Sequence, residues 1–236
     1  KELSVKDEGY IHARSFRLID LEDSFRVGEN EIILEIDYKQ DAEVYEKVRQ
    51  AYLFEVEKNR FKCNTEIEAC YLCGDFGVRM DGEWQGGEHD AALASGRFVI
   101  VEPKSELELA HLERQGYLSF AGTLTLGREI EAKAGDRLKV KFEKYGTNVV
   151  EIKVNGKSVK KILWAPYEAE LGDYLVDGKN TVEISLTNNL RNLLGPLHSG
   201  EELLWFRPGA FQKEPSFWNK EPVWYDSYCF VEFGLR

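Results

Sequence analysis

Residues 150–171 read VEIKVNGKSVKKILWAPYEAEL. Val150, Ile152 and Val154 alternate with Glu151 and Lys153, the two-residue period of a half-buried strand. Asn155-Gly156 interrupts the run, and Lys157-Ser158-Val159 opens a second one. Asn-Gly accepts the positive φ that a type I′ turn requires, so the stretch predicts a tight β-hairpin. The second run ends in Trp164-Ala165-Pro166-Tyr167. Pro166 lacks an N–H and breaks the ladder there.

The same texture fills the rest of the chain. Short alternating runs punctuated by turn residues occupy 31–38, 66–73, 97–101, 117–126, 137–145, 149–154, 181–187 and 228–233, the pattern of an all-β sandwich. Helix signals are few. Residues 41–58 suit a helix over their first half or a long strand connection. Residues 105–115 begin with Ser105 three positions before Glu108, a capping-box spacing that predicts one short helix. The Gly-rich residues 79–96 read as a loop or as a hairpin with a long tip.

An internal repeat organises these runs. Asp23-Ser-Phe-Arg-Val-Gly28-Glu-Asn30 and the apolar alternation after it lie in register with Asp173-Tyr-Leu-Val-Asp-Gly178-Lys-Asn180 and its own alternation. Tyr71-Leu-Cys-Gly-Asp-Phe76-Gly77-Val78 then matches Tyr228-Cys-Phe-Val-Glu-Phe233-Gly234-Leu235 in the same order. The repeat predicts two related sandwich modules, at 1–104 and 105–236, the first incomplete. The chain starts at Lys1 and its only Met is Met80, which reads as a segment of a longer protein.

Residues 116–198 carry a further pattern in GYLSFAGTLTL, the Val154–Lys157 hairpin, Trp164-Ala165-Pro166-Tyr167 and NNLRNLLGP at 188–196. They resemble the galactose-binding-like jelly-roll domain of glycoside hydrolase family 2 and its relatives. NNLRNLLGP and YLCGDFGV at 71–78 also resemble the accessory domain near the end of large bacterial α-L-rhamnosidase-like enzymes. The resemblance implies a galactose-binding-like jelly-roll β-sandwich, with a related partial sandwich before it, appended to a catalytic barrel. That barrel, the catalytic domain of a parent enzyme, is the implied partner. Catalytic carboxylates belong to the barrel in such enzymes, so no catalytic residue is assigned to this chain.

Several residues are candidates for carbohydrate contact. Trp164 and Tyr167 could stack on a sugar ring or plug the core, and core packing is the stronger reading because large aromatics are mostly buried. Arg191 and Asn192, with Asn188 and Asn189, offer donors and acceptors that suit hydroxyls, or else tie their own loop down. His198 could reach a substrate or stand solvated in its loop. Residues 205–224 hold three of the five Trp, so Trp205 and Trp218 are candidates for stacking on a pyranose or on a neighbouring domain.

Other classes recede. With 236 residues, 43% hydrophobic and 31% charged, the composition is that of an ordinary globular protein. A net charge of −11 opposes binding to nucleic acid and to anionic membranes. No apolar run approaches the ~20 residues that span a bilayer. Cys70 and Cys73 lack a second ligand pair, and no His lies within 15 residues, so they read as small buried apolar residues rather than a metal site. Four cysteines without a disulfide pattern favour a reducing, cytoplasmic compartment. No cofactor is implied, although a structural calcium on loop oxygens suits such sandwiches. Asp75-Phe76-Gly77 is a strand end: the kinase motifs that would give it a metal-binding role are missing, as are a P-loop and a Gly-x-Ser-x-Gly elbow. The expected function is a non-catalytic accessory region of a bacterial glycoside hydrolase. The alternative is an autonomous carbohydrate-binding module.

Overall fold

A computed structural model describes residues 9–10, 16–21, 24–53, 56, 62–65, 70–86, 90–195, 198–202 and 225–236. The chain divides into two units, Lys1–Leu72 and Cys73–Arg236.

The second unit is antiparallel β-structure. Its described strands are β1 (Gly77–Gly86), β2 (Ala91–Val101), β3 (Thr123–Ala132), β4 (Lys139–Lys141), β5 (Tyr145–Gly146), β6 (Val149–Val154), β7 (Lys157–Ile162), β8 (Glu168–Glu170), β9 (Gly178–Thr187), β10 (Tyr228–Val231) and β11 (Gly234–Leu235). They form a four-stranded sheet in the order β3-β9-β6-β7, a three-stranded sheet β1-β2-β10, and the pairs β4-β8 and β5-β11. The arrangement is sandwich-like. Val150, Ile152 and Val154 point inward from β6 and are fully buried. They meet Ile162, Leu186, Phe142, Ala169, Phe233 and Leu235 in one core. A smaller core gathers Met80, Ala94, Leu118 and Phe230 beneath β1, β2 and β10.

The predicted hairpin is present. Asn155 and Gly156 both take positive φ, 51° and 75°. Lys153 faces Ser158 and Val154 faces Lys157, but Ile152 faces Lys160, so Val159 is an extra residue that bulges β7. Of the stretch 79–96, the described residues pair antiparallel as β1 and β2, as the hairpin reading has it.

Asn180 closes the turn that feeds β9. Its Oδ1 accepts from Val176 N at 2.8 Å, and its Nδ2 donates to Val176 O and Gly178 O, both at 2.9 Å. Asn155 Nδ2 donates to the same Oδ1 at 2.8 Å and to Tyr174 O at 3.1 Å. Asn155 Oδ1 accepts from Thr181 N at 3.0 Å. The hairpin tip is thereby fastened to the start of the central strand, and Asn180 is only 1% exposed.

The repeat reproduces this turn in the first unit. Asn30 Oδ1 accepts from Arg26 N at 3.0 Å, and Asn30 Nδ2 donates to Arg26 O and Gly28 O at 2.8 and 3.1 Å. Gly28 and Gly178 share φ near 100°, at 101° and 94°, a conformation that glycine adopts without Cβ strain. Beyond the turn the two units part. Residues 31–38, an expected strand, join no ladder among the described residues and are exposed. The first unit instead has the helix α1 (Ala42–Leu53), whose Val44, Val48 and Ala51 turn to one side. Glu43–Lys47 and Glu46–Arg49 ion pairs lie on its surface. Asn64 clips the helix entry, accepting from Asp41 N at 2.9 Å and donating to Asp41 Oδ2 at 3.0 Å.

The second repeated segment is used twice around one connection. Val78 N donates to Gly116 O at 2.8 Å, while Leu112 N donates to Phe233 O at 2.7 Å and Leu235 N to Leu109 O at 2.8 Å. Residues 109–116 thus run between both Phe-Gly-aliphatic segments. This explains why the helix expected over 105–115 shrinks to a 3-10 turn at Leu112–Arg114. Tertiary strand bonds and the Gln115 carboxamide, which serves Glu108 N, Glu108 O and Ala110 O, take the groups a helix would use.

Two further differences concern organisation. Residues 77–101 belong with the second unit, because β2 pairs with β10, and the unit boundary falls at Leu72/Cys73 rather than at 104. Cys70 and Cys73 are exposed and lie in no strand, so they are not buried apolar positions; Cys229 is buried.

The Asn tie sets a direct test. Asn180→Ala removes three bonds to the Val176 and Gly178 backbone and one from the Asn155 amide, and empties a buried side-chain position. It is expected to lower the unfolding free energy by about 2–4 kcal/mol. Asn30→Ala, in the same turn but exposed, is expected to cost less than about 1 kcal/mol. Urea denaturation of both variants measures the contrast.

Candidate functional site

Tyr145 lies in the two-residue strand β5, held by β11, and Tyr167 precedes β8. Tyr167 O accepts from Phe142 N at 2.9 Å, which fixes the residue against β4. The two rings stack with centroids 4.5 Å apart and planes 11° from parallel. Tyr145 Oη donates to Ile162 O at 2.6 Å, so the phenol is anchored to the end of β7. Burial, and then the neighbouring Tyr167, hold the Tyr145 phenol above its ordinary pKa.

The pair lines a cleft of about 440 Å³, together with Thr147, Asn148, Asn188, Asn189, Lys144 and Glu232 among others. That volume lies within the range of about 300–1,000 Å³ typical of small-molecule sites. The amides are held by the framework. Asn188 Nδ2 donates to Phe120 O at 2.9 Å, Asn189 Nδ2 donates to Asn148 Oδ1 at 2.9 Å, and Asn189 Oδ1 accepts from Arg191 N at 2.8 Å. Thr147 Oγ1 donates to Thr187 O at 2.7 Å. Each carboxamide retains donor or acceptor capacity beyond these bonds, because Asn offers two N–H and two lone-pair directions. Lys144 Nζ sits 2.7 Å from Asp90 and 4.0 Å from Glu232. The cleft therefore presents an aromatic pair beside neutral amides, with Asp90, Glu143, Lys144 and Glu232 as its charged residues. Such a surface suits a neutral polyhydroxylated ligand better than a strongly charged one.

A second cleft of about 290 Å³ adjoins the first through Asp90, Lys144, Val231 and Glu232. Its charges are occupied with one another. His111 Nδ1 is 3.1 Å from Glu113, Glu113 Oε2 accepts from the buried Phe233 N at 3.0 Å, and Arg114 lies 4.6 Å over the Trp84 ring. Arg236 forks onto Glu232 at 3.0 and 2.8 Å.

The residues expected from sequence are distributed unevenly. Tyr167 lines the larger cleft. Trp164 does not plug the core: it is 72% exposed just past β7, next to half-exposed Leu163. Arg191 and Asn192 are buried framework ties. Asn192 Nδ2 donates to Val231 O at 2.9 Å and its Oδ1 accepts from Val231 N at 2.8 Å, while Arg191 Nη1 donates to Cys229 O at 3.2 Å. His198 bridges to Tyr228 outside the clefts, its Nδ1 2.9 Å from Tyr225 O. Trp205 and Trp218 fall outside the described residues. Sequence reasoning missed Tyr145, Thr147 and Asn148. Their signal was Tyr145-Gly-Thr-Asn148, an aromatic next to turn residues immediately before a clear strand. Among the described residues no three His, Cys, Asp or Glu side chains are grouped to hold a metal ion.

The sequence matches no family model and no curated protein. Similar solved structures include a rhamnosidase from Novosphingobium sp. PP1Y, at 18% identity and TM-score 0.35, covering 72% of this chain and 16% of that one. Another is a β-D-glucuronidase from Dictyoglomus thermophilum, at 13% identity and TM-score 0.28, covering 70% of this chain and 29% of that one. Both are glycoside hydrolases, and the chain spans less than a third of either.

The Tyr145 anchor has a signed pH consequence. A phenol whose pKa is higher folded than unfolded stabilises the fold below the ordinary tyrosine value of about 10, and that contribution is lost as pH rises beyond it. Tyr145→Phe is expected to cost about 1 kcal/mol at neutral pH through the lost bond to Ile162 O. The gap between wild type and variant is expected to narrow above pH of about 10. Denaturation at a series of alkaline pH values checks it.

Proposed function

We propose that this chain is a non-catalytic accessory β-sandwich region of a glycoside hydrolase, and that it contacts neutral carbohydrate through the cleft at Tyr145, Tyr167, Asn188 and Asn189. The observation that carries the reading is the stacked tyrosine pair set beside four polar side chains, Thr147, Asn148, Asn188 and Asn189, which bond to Thr187 O, Phe120 O and one another. A pyranose has apolar C–H faces and an equatorial fringe of hydroxyls. Aromatic carbon answers the first, and carboxamides answer the second. Most framework bonds to the amides come from the backbone or from one another, so the site is formed before ligand arrives and loses little entropy on binding. The resemblance of 116–198 to sugar-binding sandwich domains of such enzymes supports the same reading.

Calorimetric titration of the chain with a panel of neutral oligosaccharides tests it. At least one is expected to bind with Kd of about 1 mM or tighter, and Tyr167→Ala is expected to weaken it at least about tenfold. A silent panel, or binding that survives Tyr167→Ala unchanged, contradicts the cleft. Hydrolysis of aryl glycosides by the repurified chain would contradict the non-catalytic part.

A further inference from the structure

The second cleft balances its charges but does not show both signs equally to a ligand. Asp90, Glu113 and Glu232 line it against Arg114, Lys144 and Arg236. The half-buried Glu202 lies against Gly86, a further lining residue, so total charge does not favour an anion there. Burial separates the signs. The side chains of Glu113 and Glu232 are 3% and 7% exposed, whereas those of Arg114, Lys144 and Arg236 are 39%, 40% and 39% exposed. Asp90 does reach solvent, and Lys144 holds it at 2.7 Å. The buried carboxylates fix the cations from behind. Glu232 takes Nε and Nη2 of Arg236, while Glu113 lies 3.4 Å from Arg114 Nε and the Trp84 ring lies under that guanidinium. A guanidinium has five N–H donors, so both arginines keep donors beyond these bonds.

The geometry points to an acidic saccharide as the ligand. Its oxyanion, a carboxylate or a sulfate ester, lies in the second cleft, and the adjoining neutral residue of the same oligosaccharide lies in the cleft of Tyr145 and Tyr167. This inference rests on the saccharide reading of that first cleft. The two clefts share Asp90, Lys144, Val231 and Glu232, so one oligosaccharide can pass from one to the other. At about 290 Å³ the second stands at the lower end of small-molecule sites, with room for a single residue. Guanidinium forks answer paired oxygens of either oxyanion with charge-assisted bonds. A cationic sugar would meet like charge at every exposed donor. The cations are needed because a chain of net charge −11 otherwise repels an anion.

Calorimetric titration of the whole chain tests this with matched ligands. Each is a neutral oligosaccharide and two acidic counterparts, with a terminal C6 alcohol oxidised to the carboxylate or esterified with sulfate. At least one acidic form is expected to bind about fivefold or more tighter than its neutral parent at low salt, and the gain is expected to shrink in 0.5 M salt. The tighter of the two names the oxyanion. Arg114→Gln is expected to erase the gain and leave the neutral parent's affinity unchanged, which also reports that the variant is folded. Tyr167→Ala is expected to weaken both forms. Neutral binding with no acidic gain, or a gain that survives Arg114→Gln, would overturn the inference and leave the first cleft standing. Acidic binding that needs Arg114 but not Tyr167 would overturn the shared ligand and the first cleft with it. Silence from every form would overturn both readings.

Discussion

One buried carboxamide organises the second unit. Asn180 closes its own turn with three backbone bonds and takes a fourth from Asn155 at the hairpin tip. A strand with period two can slip by one residue only by exchanging its core face for its solvent face. The Asn155–Asn180 tie removes that freedom, because it locks the tip of β6–β7 to the first residues of β9. That register puts Val150, Ile152, Val154 and Leu186 in the core, and sets Thr123–Thr187 and Thr125–Ser185 as hydroxyl pairs at 2.8 Å on the opposite face.

The sequence spelled out whatever local chemistry decides. Asn155-Gly156 announced the turn, alternation announced β6 and β9, and Gly28-x-Asn30 announced a turn that Gly178-x-Asn180 repeats bond for bond. It did not spell out what distant partners decide. Ser105-x-x-Glu108 reads as a helix start, yet the backbone of 109–112 bonds to residues 233–235, more than a hundred positions away. Residues 31–36 share the apolar spacing of β9, with Ile33 where β9 has Glu183, but join no ladder among the described residues, since a strand is made by its neighbours. Val159 bulges for reasons that pairing register shows and composition does not.

The candidate site was legible in part for the same reason. NNLRN at 188–192 concentrates donors and acceptors, but the side chains divide by position. Asn188 and Asn189 leave the end of β9 toward the cleft, whereas Arg191 and Asn192 lie in a short helix (Arg191–Leu194) that packs them against β10. Tyr145 and Tyr167 are 22 positions apart in sequence, and only the pairing of β5 with β11 and of β4 with β8 brings the rings together. The cleft walls are mostly the short connections beside β5, β6 and β9, tied down by bonds to Phe120 O and Thr187 O.

The contrast between the two like turns is the claim on which the description of both units rests, and side-chain amide exchange of the intact chain measures it directly. The carboxamide protons of Asn180, buried and shared with Asn155, are predicted to exchange at least about 100-fold more slowly than those of exposed Asn30. Equal rates for the two carboxamides would contradict it.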